Sequence, residues 1–300
     1  RSREFCNLSE CVVRREDTSE SLKEKVRIAT ILGTFQSTLT EYKYISREWK
    51  RNCDEERLLG VSLTGIMDNP LTNGSKKGLE NLLEDLKDVA YETNKKWADI
   101  LGINSAAAIT CVKPSGTVSQ LVDSASGIHA RHNPYYIRTV RADNKDPLCQ
   151  MMKERGFPNE PDITKPNHTT VFSFPMKSPK GAVCRNEMTA WKQLSLWHTY
   201  AKHWCEHKPS ITVSVKEDEW VNTAAWVYDN FDDISGISFL PFSDHTYRQA
   251  PYQDCTEKEY NELSKQIPKE ANWEELTKYE SKDYTVASQE MACVGNSCEI

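Results

Sequence analysis

Two stretches of strong helical periodicity, residues 19–42 and 76–101, are set among short β-favouring runs, and this alternation restricts the fold more than any other feature. In the first stretch Leu22, Val26, Ala29, Leu32, Phe35 and Leu39 recur every three or four residues, with Ser19 or Ser21 placed to cap the start. In the second, Leu79, Leu82, Leu83, Leu86, Val89, Ala90 and Trp97 share one face. Residues 4–14 and 58–66 read as strands, and the apolar run 106–112 as a third strand buried on both sides. The 58–66 run contains two glycines, and glycine inside a strand often marks the close approach of another group. The second half repeats the rhythm, with strands at 169–174 and 210–215, helices at 186–206 and 217–231, and a last clear strand at 234–240. Strands alternating with long helices predict an α/β fold built from crossover units.

The rest of the chain is less regular. From about Pro251 it becomes polar, with one weak helix at 256–267, and residues 285–300 carry no periodic apolar face, so they read as a mobile tail. Net charge is −6, which gives no sign of the basic face that grips nucleic acid polymers. No run approaches the length of a membrane span and no signal peptide is visible. The ten cysteines are scattered, which suits a reducing cytoplasm with free thiols better than a secreted disulfide framework.

Three groups of residues could carry chemistry. Lys113-Pro114-Ser115-Gly116-Thr117-Val118-Ser119 follows a buried strand and precedes a short helix-like stretch. Free backbone N–H groups at such a turn, the helix dipole and the hydroxyls of Ser115, Thr117 and Ser119 would suit a phosphate; a capped helix start with proline at its edge is the alternative. The loop lacks the Gly-Lys-Ser/Thr ending of a Walker A motif. Cys293 and Cys298 are separated by residues that can turn tightly, and thiols on a mobile end suit disulfide exchange; a metal half-site and idle surface thiols are the alternatives. Cys6, in Phe5-Cys6-Asn7-Leu8-Ser9-Glu10, would by itself be a small buried hydrophobe. His129 and His132 have a spacing that could bind metal but fit structural hydrogen bonding better, and Asp54, Glu55 and Glu56 read as a solvated start of an element.

FCNLSECVVRRED near the start, RNCDEERLLGVSLTGIMD at 51–68, CVKPSGTVSQLVDSASGIHARHNPYYIRTVRAD at 111–143, SGISFLPFSDHTYRQAPYQ at 235–253 and the final cysteine pair together resemble class II, adenosylcobalamin-dependent ribonucleotide reductase. The likeness is to the C-terminal portion of the monomeric ribonucleoside-triphosphate reductase type. It implies the C-terminal part of a ten-stranded α/β barrel over residues 1–250, a polar region packing on it over 251–284, and a flexible redox tail over 285–300. Cys6 then matches one of the two barrel thiols that reduce the 2′ carbon and end as a disulfide, its partner lying upstream. Cys293 and Cys298 match the tail pair that reduces that disulfide and is itself reduced by thioredoxin. Ser115, Gly116, Thr117, Val118 and Ser119 match the loop that holds the substrate phosphates.

The resemblance also implies a thiyl radical mechanism in the cytoplasm, started by adenosylcobalamin and supplying deoxyribonucleotides for DNA synthesis. In it the 3′ hydrogen is removed and the 2′ hydroxyl leaves as water. The radical cysteine, in a short Asn-x-Cys-x-Glu segment, falls before Arg1. This chain is therefore expected to act with the N-terminal portion of the same enzyme, with cobalamin contacts largely outside it and no metal ligands of its own. Three other readings stay open: a reductase of the same class acting on diphosphates, a split or inactive fragment, and a thiol-exchange or metal-binding interaction protein without nucleotide chemistry.

Overall fold

The computed structural model describes residues 1–242, 247–280, 293–294 and 297–298. The chain divides into two compact units, Arg1–Arg131 with Gly181–Ser243, and His132–Lys180 with Asp244–Glu299.

The first unit is built on parallel strands and crossover helices. Strand β1 (Asn7–Val12) leads through helix α1 (Ser19–Gln36) and helix α2 (Arg47–Glu56) to β2 (Leu59–Thr64). Helix α3 (Leu79–Leu101) then leads to the short strand β3 (Thr110–Cys111), and α4 (Gly116–Leu121) follows it. The sheet order is β1-β2-β3 with both pairings parallel, as expected when helices carry the chain back across one face.

Alternate residues of a strand point to opposite faces. Leu59, Val61 and Leu63 of β2 therefore join Leu22 and Val26 of α1 and Leu83 and Leu86 of α3 in one core. Gly33 on α1 faces the sheet, where a Cβ would make ordinary van der Waals contact with Leu59 at 3.5 Å. Thr30 and Thr34, buried on the same helix, donate their hydroxyls to the carbonyls of Val26 and Thr30 one turn back, so neither is left unpaired. The unit also holds β7 (Ile211–Val215) and β8 (Ile237–Pro241), a parallel pair, with helices α6 (Ala190–His203) and α7 (Trp220–Asp229).

The second unit is antiparallel. Strands β4 (Tyr135–Asp143), β5 (Asn159–Pro161), β6 (Thr169–Lys177) and β9 (Tyr252–Asp254) lie in the order β5-β6-β4-β9. Helix α5 (Pro147–Glu154) contributes Cys149 and Met152 to a small core with Phe157 and Phe172, against which Ile267 and Ala271 pack. Helices α8 (Glu257–Ser264) and α9 (Leu276–Tyr279) complete the unit.

Several boundaries depart from the sequence reading. Helix α1 stops at Gln36 rather than residue 42, where the Ser37 amide caps back to the Gly33 carbonyl. Its N-cap is Thr18, whose hydroxyl accepts from the Ser21 amide while Ser21 reciprocates, so neither Ser19 nor Ser21 holds the cap position. Asp54, Glu55 and Glu56 close α2 instead of opening an element, and Glu55 and Glu56 pair with Arg1. Strand β3 is two residues long; Glu206, His207 and Ser210 bond along its outer edge with their backbone amides, and the Glu206 carboxylate takes the Ile109 amide. Tyr135 and Tyr136 start a nine-residue strand to which the sequence reading assigned no element. Residues 234–240 are not the last strand, since β9 adds to β4 from within the polar 251–284 region, where the helix is 257–264. Most of the 285–300 tail lies outside the described residues. Within it, Cys293–Val294 (β10) and Ser297–Cys298 (β11) pair antiparallel, with Cys293 opposite Cys298.

Candidate active site

On the core-facing side β2 presents Leu59, Val61 and Leu63, and the chemistry lies on the other side of the sheet. That face carries Leu8 and Glu10 from β1, Gly60, Ser62 and Thr64 from β2, and Cys111 from β3. Cys6, just ahead of β1, belongs to it too. A Cβ on Gly60 would stand 2.4 Å from Leu8, 2.8 Å from the Cys6 sulfur and 3.4 Å from the Cys111 sulfur. The close approach expected from a glycine in this strand is thus made by two thiols and a leucine.

Cys6 is half-buried, and its sulfur lies 3.9 Å from Nε2 of His207, which donates to the Leu59 carbonyl at 2.7 Å. Burial raises the Cys6 thiol above its ordinary pKa, and the positive charge of Lys113 opposes that shift. Cys111 is fully buried, and its thiol is pushed up to about 12 by burial, again with Lys113 opposing. The eight cysteines from Cys6 to Cys255 are free thiols.

Glu10 links the strands to the loop after β3. Its carboxylate accepts from the Ser115 hydroxyl at 2.7 Å and from Ser62, whose hydroxyl also accepts from the Lys113 amide at 3.0 Å. Burial raises the Glu10 carboxyl, while both serine bonds favour its charged form.

The predicted phosphate loop is a strand-to-helix turn, as the sequence suggested. Ser115 occupies the N-cap position, and Gly116 has the positive φ of +42° that glycine tolerates best. The Gly116 amide donates to the Ser126 hydroxyl at 3.2 Å. Ser119 is fully buried and donates to the Gly116 carbonyl at 2.8 Å, while Val118 is exposed. Two hydroxyls of the loop are therefore engaged within the protein, one by Glu10 and one by the loop itself.

A buried ion pair fixes the turn that follows. Arg131, 3% exposed, grips Asp68 (2% exposed) through Nε at 2.9 Å and through its Nη2 nitrogen at 2.8 Å, and also takes the Asp123 carboxylate and carbonyl. The second oxygen of Asp68 also accepts the Ala125 amide, and Ala125 in turn accepts from Gly65 at the end of β2. Gly65 has to be glycine, because its φ is +77° and a Cβ would lie 2.3 Å from the Val13 carbonyl oxygen.

His129 is a structural residue. Its Nδ1 donates to the Ser126 carbonyl and its Nε2 accepts from the Thr212 amide, so the ring is neutral and both nitrogens are used. His132, in the other unit, pairs with Asp254 and stacks on Tyr252. Among the described residues no group of three or more His, Cys, Asp or Glu side chains is placed to hold a metal ion. Glu10, Cys111, His207 and the Asp68–Arg131 pair escaped the sequence reading. For Cys111 and Glu10 a signal existed: in register with β2 they fall on the face of the Gly60 gap.

No family model matches the chain. It is 27% identical over 274 residues to the adenosylcobalamin-dependent ribonucleoside-triphosphate reductase of Euglena gracilis, a match covering 90% of this chain and 37% of that protein. It is 30% identical over 270 residues to the probable enzyme of the same name from Dictyostelium discoideum, covering 87% of this chain and 34% of that one. A crystal structure of a B12-dependent (class II) ribonucleotide reductase superposes with a TM-score of 0.78 over 94% of this chain and 43% of that chain, at 23% identity. The superposition establishes the shared α/β fold. In sequence its relatives are adenosylcobalamin-dependent ribonucleoside-triphosphate reductases, matched over their C-terminal portion. The chain spans between a third and a half of their length.

Proposed function

We propose that this chain supplies the substrate-phosphate loop and reducing thiols of an adenosylcobalamin-dependent ribonucleoside-triphosphate reductase, acting with an N-terminal portion that carries the radical cysteine. One observation carries the reading: Cys6 and the 115–119 loop are joined on one sheet face through Glu10, which stands on the strand that Cys6 precedes and holds Ser115. A ribose above that face would have its 2′ carbon near a thiol while its phosphates lay at the turn after β3.

In this reading Ser115, Gly116, Thr117, Val118 and Ser119 bind the triphosphate, with backbone N–H groups at the turn as donors. Because Ser115 donates to Glu10 and Ser119 to Gly116, phosphate binding has to draw these hydroxyls away or rely on the backbone alone. Cys6, with a barrel thiol outside this chain, supplies two electrons as the 2′ hydroxyl departs as water, and the two thiols become a disulfide. Cys293 and Cys298 then exchange with that disulfide and are reduced by thioredoxin, and their antiparallel register keeps them opposite one another for the purpose. The completed enzyme would close the ten-stranded barrel. Adenosylcobalamin, named for the relatives, would supply the radical. No residue of this chain is assigned to its binding. No described helix is long and apolar enough to cross a membrane, and the proposed setting is the cytoplasm.

The test is reconstitution with an N-terminal portion bearing the radical cysteine, adenosylcobalamin and a ribonucleoside triphosphate. Cys6→Ser should abolish deoxynucleotide formation. Cys293→Ser should leave a single turnover intact and stop thioredoxin-driven multiple turnover. Ser115→Ala with Thr117→Val should raise KM, each lost charge-assisted bond costing about 1.5–3 kcal/mol. Unchanged multiple turnover in Cys293→Ser would remove the tail from the mechanism. Preference for a diphosphate substrate would move the chain to the neighbouring activity of the class.

A further inference from the structure

Glu10 puts a negative charge beside the loop that is proposed to hold phosphates. It stands on β1 opposite Ser62 of β2 and is half-buried. Its carboxylate takes the Ser115 hydroxyl at 2.7 Å and a second bond from Ser62. Ser115 occupies the N-cap of α4 and is 9% exposed, yet it gives its hydroxyl to Glu10 rather than to the helix. Among the described residues no arginine, lysine or histidine forms an ion pair with this carboxylate. The other titratable groups on this face are Cys6, Cys111 and Lys113, with His207 beside Cys6, while Cys11 faces the core. The Lys113 charge acts on the two thiols of the face rather than on Glu10.

We propose that Glu10 is a positioning residue for the phosphate loop, and that it takes up a proton as a triphosphate binds and so releases the Ser115 hydroxyl to the ligand. The proposal rests on the reductase reading, because it needs the loop to be the phosphate site. In the empty loop the Ser115 O–H donates to the carboxylate. A polyanion arriving there repels that carboxylate, which has no ion-paired cation to offset the charge. Once protonated, Glu10 is a donor: its O–H turns to the Ser115 oxygen, and the Ser115 O–H turns to a phosphate oxygen. One proton is gained from solvent, the serine keeps its own, and no bond between heavy atoms is made or broken.

Two of the loop hydroxyls are engaged within the protein, and they differ in what holds them. Ser119 donates to the Gly116 carbonyl, which cannot titrate, whereas Ser115 donates to a carboxylate, which can. Burial already raises the Glu10 carboxyl above its ordinary 4.5, against the two serine bonds, and phosphate charge would raise it further. A ligand that brings a proton with it binds less tightly as pH rises. Affinity should therefore fall by up to about tenfold per pH unit between the pKa of Glu10 in the empty loop and its higher value in the occupied one.

The experiment is calorimetric titration of this chain, assembled with its N-terminal portion, by a ribonucleoside triphosphate. Repeating it in buffers of different ionisation enthalpy, at several pH values, counts the protons exchanged on binding. The unsubstituted assembly should take up about one proton more than Glu10→Gln, a difference that cancels any proton exchanged by the phosphate itself. The glutamine amide can donate to Ser115 as a protonated Glu10 would. Glu10→Gln should therefore bind at least as tightly and lose the extra weakening at high pH, with its melting transition checked for retained fold. Equal proton counts in the two assemblies, or weaker binding by a folded Glu10→Gln at every pH, would overturn the proposal. So would binding that requires a divalent cation and takes up no proton, since the cation would then be what offsets the carboxylate. A triphosphate that binds neither assembly, or binds without regard to Ser115→Ala with Thr117→Val, would remove the phosphate-loop reading and the proposal with it.

Discussion

Each compact unit contains an arginine–aspartate pair, and the two pairs show how differently the units are held. Arg131 and Asp68 are buried and joined by two nitrogens, and they anchor the turn after α4 to the end of β2. Arg141 meets Asp162 through one nitrogen at 2.9 Å with its side chain 26% exposed, and Asp162 is chiefly occupied with Thr164 and the Lys165 amide in its own loop. The parallel unit relies on a few long-range contacts that few other groups could replace. The antiparallel unit spreads its stability over local turns and over stacked or cation–π contacts, such as Arg138 over Tyr252 at 4.6 Å. Chemistry gathers in the first kind of unit because strand ends held by distant residues can present side chains in fixed positions.

This contrast can be broken at its strongest point. Asp68→Ala removes the buried carboxylate that meets the Arg131 charge at two points. It should cost about 3–5 kcal/mol in denaturant unfolding of the parallel unit. A cost below 1 kcal/mol would mean that the pair does not set the turn.

Acid should separate the units next. Burial lowers the His129 pKa to about 4 from its ordinary 6.5, against the opposing bond to the Ser126 carbonyl. The unfolded chain therefore takes up the proton first. The stability His129 contributes is complete above pH 6.5 and is lost as pH falls to about 4. Burial would raise the Asp162 carboxyl, but hydrogen bonds from Thr164, the Lys165 amide and Arg141 outweigh it and bring the pKa to about 2. Its contribution is complete above the ordinary 3.8 and is lost only as pH falls toward 2. Amide exchange should therefore quicken in β7, next to His129, between pH 6.5 and 4, while the β4–β6 pairing stays protected until lower pH. His129→Gln should remove the first loss. If both sheets loosen together, the distinction fails.

Gly60→Ala should cost about 1–3 kcal/mol through overpacking against Leu8 and Cys6, and should also change the rate at which Cys6 is alkylated. Arg141→Gln should cost the least, about 1 kcal/mol, since water can replace part of what it offers Asp162. A cost for Arg141→Gln equal to that of Asp68→Ala would erase the difference between the pairs.

What was legible in the sequence follows the same division. Strand β2 and helix α3 stood out because burying one face requires apolar residues at a fixed period, and the α/β class followed from their alternation. The overrun of α1 has the same origin. Leu39 continues the apolar row but is 73% exposed, so periodicity persisted where the helix did not. Strand β4 was missed because arginines interrupt its apolar residues, and its stability comes from cross-strand partners that a local window cannot contain. The site divides likewise. The 113–119 turn was readable as strand, glycine and hydroxyls in sequence. The bond from Ser115 to Glu10 joins residues far apart in the chain, and only the fold reveals it.

The empty place at Gly60 has a consequence for how such a chain can change. The same missing side chain admits Leu8 against the sheet and leaves room beside it for the Cys6 and Cys111 sulfurs. A substitution there cannot alter the spacing of the thiols and leave the sheet as it was. Drift at this residue is therefore closed in both directions, and variation in the thiol chemistry has to come from Cys6, Cys111 or Lys113, whose side chains can change while the strand they lean on stays fixed.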